Sequence, residues 1–471
     1  MTLVSYKQKY GEYTMERLTN TEVISPGKQL FLITWPILIE TFLQTFMRFS
    51  DTFMLSFISD DAVAAIGVVN QIMMFTFVLF NFTAMGSAVV VSQYVGANNP
   101  KGVQKTIAHA LMVNLSFGIM VSIAVFSLRT HFINLFDLEP ALFDYANTYL
   151  SFVGATLFSQ ALVLTISAIL QAMGHTKDVM KVVIIMNVTN VFFNYVFIFG
   201  ALGFPQLGVT GVAMSTAVIR FIAMFVLFGL LLKRLPTKLP FKAFLKFDFE
   251  YLKKILGIGV PAAGEQLSYN ISSIVITVFI TSLGATALAT RVYAQNLMSL
   301  MIIFSMSIAK GMQIFIGQLV GAGKEKEAYS SMFIGVRAAL TVALSVGTVL
   351  AIFGRQVFTI FTDDPDIISL GVVILVIGLI LEPGRTSNLV IISALRAAGD
   401  ARFPVVIGIC VMWGVLVPLA YFLGITMNFG LPGIWIAMLV DEWIRAIIMW
   451  IRWRSKKWMG KAVVEQANQA H

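Results

Sequence analysis

The chain has 471 residues, of which 58% are hydrophobic and only 12% charged, with a mean hydropathy of +0.84. A soluble fold of this length cannot hide so much apolar side chain, so lipid must be its solvent. The formal charge of +9 lies between apolar runs rather than in one patch, which argues against nucleic acid as a partner, and the lone Cys410 permits no intrachain disulfide.

The first 27 residues are polar and lack the apolar core of a signal peptide, so residues 1–29 are expected to be a cytoplasmic N-terminal segment. Apolar runs of at least about 18 residues then predict six spans, near 30–58, 62–95, 107–128, 145–173, 180–200 and 208–232. A basic stretch with Pro236 and Pro240, residues 233–254, reads as a cytoplasmic linker. Six further spans follow near 255–283, 287–320, 328–353, 367–397, 403–424 and 432–452, before a basic tail over 453–471.

Loop charge tests that count independently of hydropathy. The loops after even-numbered spans carry Lys101 and Lys105, Lys177 and Lys181, the linker lysines, Lys324 and Lys326, then Arg402. The intervening loops hold Asp60 and Asp61, Asp137 and Glu139, then Asp363, Asp364 and Asp366. The basic loops face the cytoplasm, so an even number of spans in the cell membrane with both termini inside is expected.

The two sets of spans are copies. Pro36 and Pro261, Glu40 and Glu265, the Gly-Ala ends of S-Q-Y-V-G-A and G-Q-L-V-G-A, and the glycines of Q-A-M-G and R-A-A-G are all 225 residues apart. Four anchors at one spacing mark a duplication. Six spans per copy is even, so the repeats are parallel: an N-lobe over 30–232 and a C-lobe over 255–452. Such a pair favours alternating access over a pore.

The strings P-I-L-I-E-T-F-L-Q-T-F-M-R-F-S-D-T-F-M in span 1, V-S-Q-Y-V-G-A after span 2 and T-N-V-F-F-N-Y-V-F-I-F-G in span 5 carry a resemblance, as do G-V-T-G-V-A-M-S-T in span 6 and S-A-L-R-A-A-G-D closing span 10. Together they resemble the multidrug and toxic compound extrusion (MATE) transporters. That resemblance implies an all-α polytopic fold with twelve transmembrane helices in two six-helix lobes, V-shaped, exporting organic, mostly cationic and amphiphilic compounds by antiport with H+ or Na+. The alternative in the same broad superfamily is a lipid-linked oligosaccharide flippase. The signature of major facilitators is missing, since the loop after span 2 reads G-A-N-N-P-K-G.

Charge inside a membrane is expensive, so every ionisable residue in a span needs a reason. Asp51 matches the family's span-1 aspartate in F-x-D-T-x-M. Asn190 and Asn194 share one face of span 5, and Thr216 lies in span 6. One carboxylate with neutral oxygens suits a proton or one monovalent cation, with Na+ placed at Asp51, Asn190 and Asn194. The bland reading is that the asparagines only join helices. Arg48, three residues before Asp51, either pairs with it or reaches outward.

Glu40 and Glu265 occupy equivalent places, as substrate ligands or as structural contacts. The family's second-lobe acid often falls where this chain has Tyr269. Lys310, deep in span 8, needs an anion, and Glu265 is its expected partner. Glu382 and Arg385, three apart in span 10, are expected to pair, while Asp441, Glu442 and Arg445 in span 12 form a structural cluster.

His109, His131, His175 and His471 are scattered, and neither H-E-x-x-H nor G-x-S-x-G occurs, so no enzyme activity is expected. The expected partners are small organic molecules and the lipid bilayer, the only cofactor is the coupling ion, and the protein is expected to be a monomer.

Overall fold

The computed structural model describes residues 25–235 and 248–465, the side chain of Arg48 excepted. Most of the expected N-terminal segment, the middle of the linker and the last six residues therefore lie outside the described residues.

Helices α1 to α6 are Pro26–Ser56, Asp60–Gly96, Pro100–Ser127, the bent pair Pro140–Ala155 and Leu157–Ala172, Thr176–Phe199, and Gly208–Arg234. Helices α7 to α12 are Phe249–Thr281, Ala285–Gly321, Glu325–Ile352, Pro365–Ala397, the π-interrupted Arg402–Thr426, and Gly430–Arg454. Two short helices, Arg129–Asn134 and Gly354–Phe358, precede α4 and α10. No strand occurs among the described residues.

Among the described residues nine helices are individually long and apolar enough to span a membrane, and the α4 halves, bent by 51°, make a tenth when counted as one span. The remaining two, α7 and α12, hold Glu250, Lys253, Lys254 and Glu265, and Asp441, Glu442 and Arg445. In α12 the three charges are buried, which hydropathy alone cannot distinguish from exposure, whereas Glu250 and Lys253 are exposed at the start of α7.

The acidic loops have a second duty. Ser59 accepts from the Ala62 N–H at 3.0 Å to cap α2, with Asp60 and Asp61 in the first turn facing the positive end of the helix dipole. Asn99 caps α3 ahead of Pro100, and Asp364 caps α10 ahead of Pro365. Gly200 closes α5 at φ 66°, a left-handed conformation that glycine adopts without strain.

The chain forms two compact units. Unit 1 contains residues 39–260 and unit 2 contains residues 24–38 together with 261–471. Both changes of unit occur within a helix and beside a proline: after Leu38 in α1, two residues beyond Pro36, and at Pro261 in α7. The core of unit 1 gathers Leu55, Val69, Phe80, Leu150, Leu157 and Val212. In unit 2 one core surrounds Met312, Ile391, Trp453 and Trp458, and another surrounds Ile280, Phe358, Leu381 and Ile434. The tail is part of unit 2: Trp458 stacks on Trp453 with ring centres 4.2 Å apart, and Lys461 and Arg452 both bind Asp400.

The repeat reappears in the packing. In unit 1, α2 and the first part of α7 meet backbone to backbone at Gly86 and Gly259, where a methyl group on either would overlap the Ile255 or Phe82 carbonyl. The positions 225 residues away, Thr34 and Gly311, also touch in unit 2, there through the Thr34 side chain against the glycine. Gly259→Ala is expected to cost about 1–3 kcal/mol by overpacking. Gly257→Ala, where an added methyl meets nothing within 4 Å, should be neutral or slightly stabilising. Thermal unfolding of the two variants in detergent checks this, and equal melting points would contradict the packing.

At the end of unit 1 beside the α4–α5 turn, Asp178 binds Arg234 at 2.8 Å and stands 3.9 Å from His175. Burial, then the Arg234 guanidinium, push His175 below the usual imidazole range against the pull of Asp178.

Candidate functional site

In unit 1 the structure brings four sequence-selected residues into one chain of hydrogen bonds. Asn194 donates from Nδ2 to Asp51 Oδ1 at 3.0 Å and to Asn190 Oδ1 at 3.2 Å, and Asn190 donates to Thr216 Oγ1 at 3.4 Å. The i, i+4 spacing on α5 puts both amides on the face turned toward α6, while α1 supplies the carboxylate. Asn190, Asn194 and Thr216 are fully buried, and Asp51 is part-buried.

The amide oxygen of Asn194 has no hydrogen-bond partner among the described residues, and neither does that of Asn187, two turns earlier on α5. A buried acceptor without a donor costs free energy, on the order of 1–3 kcal/mol. Beside a carboxylate, such an oxygen suits a proton or a small monovalent cation. No group of three or more His, Cys, Asp or Glu side chains suited to a metal ion occurs among the described residues.

Two further residues belong to this neighbourhood and escaped the sequence reading. Tyr149, from the first half of α4, is buried, lies close to Thr216 and is within electrostatic range of Asp51. Arg220, one turn beyond Thr216, acts on the Asp51 carboxylate and sits 5.8 Å from the centre of the Phe77 ring. Spacing on α6 was the available signal for Arg220, since residues 216 and 220 share a face. Tyr149 had none, because only the fold brings α4 against α1 and α6. The side chain of Arg48 lies outside the described residues.

The symmetric glutamates have equivalent partners of different charge. Glu40 accepts from Gln171 at 2.6 Å and from Gln44 at 3.1 Å. Glu265 pairs with Arg396 at 2.5 Å, and Arg396 is the counterpart of Gln171 in the repeat. The expected pair of Lys310 with Glu265 is therefore corrected. Arg396 holds the carboxylate, and Lys310 sits at an exposed position of α8 while its neighbours Ala309, Gly311 and Met312 face the core.

Glu382 and Arg385 do pair, at 2.5 Å, but the contact is part of something larger. Arg385 also binds Glu442 at 3.2 Å, Asn388 binds the same carboxylate at 3.1 Å, and Arg445 bridges Asp441 and Glu442. Residues read as two separate local sets thus form one buried network between α10 and α12. Tyr269, partly exposed on α7, lies within electrostatic range of Arg385 and Arg291.

Comparison with known proteins follows the same division of the chain. Residues 36–196 and 261–422 match the MatE family. The chain is 43% identical over 434 residues to the uncharacterized transporter YisQ of Bacillus subtilis, covering 92% of this chain and 95% of that protein. It is 27% identical over 452 residues to a probable multidrug resistance protein NorM of Thermotoga maritima, covering 95% and 96%. The fold is similar to the crystal structure of the Vibrio cholerae MATE transporter VcmN in its bent form, with a TM-score of 0.84 at 18% identity over 92% of this chain and 97% of that one.

Proposed function

The chain belongs to the MatE family, and on that premise we propose that it is a secondary active exporter of organic, mostly cationic and amphiphilic compounds, driven by inward movement of H+ or Na+. The observation that carries this reading is the Asp51–Asn194–Asn190–Thr216 chain, which offers a charge and an unpartnered oxygen to one small cation. A carboxylate persists inside a span when something balances it, and a transported cation supplies that balance on one side and removes it on the other. The multidrug name of the Thermotoga relative supports the substrate class.

Uphill transport in proteoliposomes tests the proposal, with proton and sodium gradients imposed separately against a panel of cationic dyes. The expected result is saturable accumulation that reverses with one of the gradients. Non-saturating conduction would mark a channel, and movement of lipid-linked sugars without dye transport would mark a flippase.

The basic loops support a cytoplasmic placement of both termini and of the linker in the cell membrane. In a Cys410→Ser background, cysteines substituted for Asp61, Asp137 and Asp364 should react with an impermeant thiol reagent applied to intact cells. Labelling only after permeabilisation would reverse the topology.

A further inference from the structure

Unit 1 has a cavity of about 430 Å3 at the end that carries the turn after α1 and the starts of α4 and α6; its lining includes Ile58, Asp144, Tyr145, Thr148, Gln206 and Val209. That volume has room for on the order of ten waters. Asp144 is exposed at the cavity, and polar side chains from α4 and the α5–α6 loop share its wall with apolar ones.

The helix register ties this cavity to the Asp51 site. Tyr145 is four residues from Tyr149 on α4 and Val209 is seven from Thr216 on α6, while Ile58 lies in the turn that follows α1, the helix of Asp51. Steps of four and seven return to the same helix face. Cavity and site thus share faces of α4 and α6, separated by one to two turns, or about 10 Å at the α-helical rise. Tyr149, buried and close to Thr216, stands on the face that joins them.

We propose that this cavity is the port through which the coupling cation passes between the outer face and Asp51, with Asp144 concentrating cations at its mouth and Tyr149 separating port from site. The proposal rests on the reading of Asp51 as the coupling residue. A hydrated monovalent cation, or a proton carried along water, is the chemistry that a wet cavity with one carboxylate recognises. A fixed negative charge at such a mouth raises the local cation concentration, and its effect falls with ionic strength.

Charge, not bulk, makes the test specific. Cells expressing the full chain with Cys410→Ser and Thr148→Cys are treated from outside with either a trimethylammonium-ethyl or a sulfonatoethyl methanethiosulfonate, which attach adducts of similar size and opposite charge. At low ionic strength the cationic adduct should slow ion-driven dye efflux at least about 4-fold more than the anionic one: by Coulomb's law one unit charge about 10 Å away changes the local cation concentration about 2-fold at the dielectric of water, adducts of opposite sign differ by the square of that factor, and a lower effective dielectric enlarges it. Ile58→Cys, on the facing wall, repeats the measurement if Thr148→Cys does not fold. Asp144→Asn should raise the half-saturating ion concentration and leave the maximal rate unchanged.

Equal slowing by both adducts, or none, overturns the port. Asp51→Asn is run beside them to separate the two ideas. If it abolishes uphill efflux while the adducts act alike, the port is wrong and the Asp51 reading stands. If it leaves uphill efflux intact, the Asp51 reading falls and takes the port with it.

Discussion

Asp51→Asn should still bind substrate and should fail to concentrate it, so that the steady-state dye ratio across the membrane collapses to unity under either ion gradient. The substitution keeps the size and the hydrogen bond to Asn194 but removes the only carboxylate in the Asp51–Asn194–Asn190–Thr216 chain. Without that charge a proton has no acceptor and a cation has no counter-charge, so binding of the ion no longer biases one conformation over another. Substrate binding by fluorescence and uphill efflux are measured on the same preparation. The rival is a permanent ion pair with a guanidinium, Arg48 or Arg220. Arg48→Ala and Arg220→Met should therefore leave coupling largely intact. Retained accumulation in Asp51→Asn would move coupling elsewhere.

Removing Arg445 should damage the fold rather than the coupling. Its guanidinium holds both Asp441 and Glu442, and these join Glu382, Arg385 and Asn388 in one network of buried groups. Three carboxylates facing two guanidiniums become three facing one in Arg445→Met. Breaking a buried pair by removing one partner costs about 3–5 kcal/mol, because the remaining charge is left without compensation. A markedly lower melting temperature in detergent is expected, partly restored in Arg445→Met with Asp441→Asn. Losses in the double variant equal to the sum of the singles would show that the two groups do not interact.

The architecture was legible because a bilayer enforces it. With no water to satisfy the backbone, apolar runs must be helices, and the charge of each loop reports its side. The 225-residue repeat reached further than the helix count, since it pairs Gln171 with Arg396 and Gly86 with Gly311, and the structure uses those positions in equivalent contacts. The Asp51 group was legible because its members lie at helical spacing or in recognisable strings. Lys310 was misread because sequence depth in a span says nothing about which face a side chain occupies. The α10–α12 network was seen only as i, i+3 and i, i+4 fragments, because the register between two helices is set by packing and not by either sequence alone. Hydropathy likewise could not show that α4 bends at Thr156, where Gly154 is the one local sign of a break and no proline occurs.

The exchange of unit inside α1 and α7 constrains how the protein can be made. Residues 24–38 leave the ribosome early, ahead of all of residues 39–260, yet they belong with a unit that otherwise begins at Pro261. At about 5–20 residues per second, that segment waits on the order of ten to forty seconds before the first of its partners is synthesised. Unit 1 in turn is complete only when the chain reaches Val260. Neither half is thus a self-sufficient folding unit during synthesis. A ribosome arrested in the linker would hold six helices of which one has its opening turns unplaced, and the surface they are meant to meet would not yet exist.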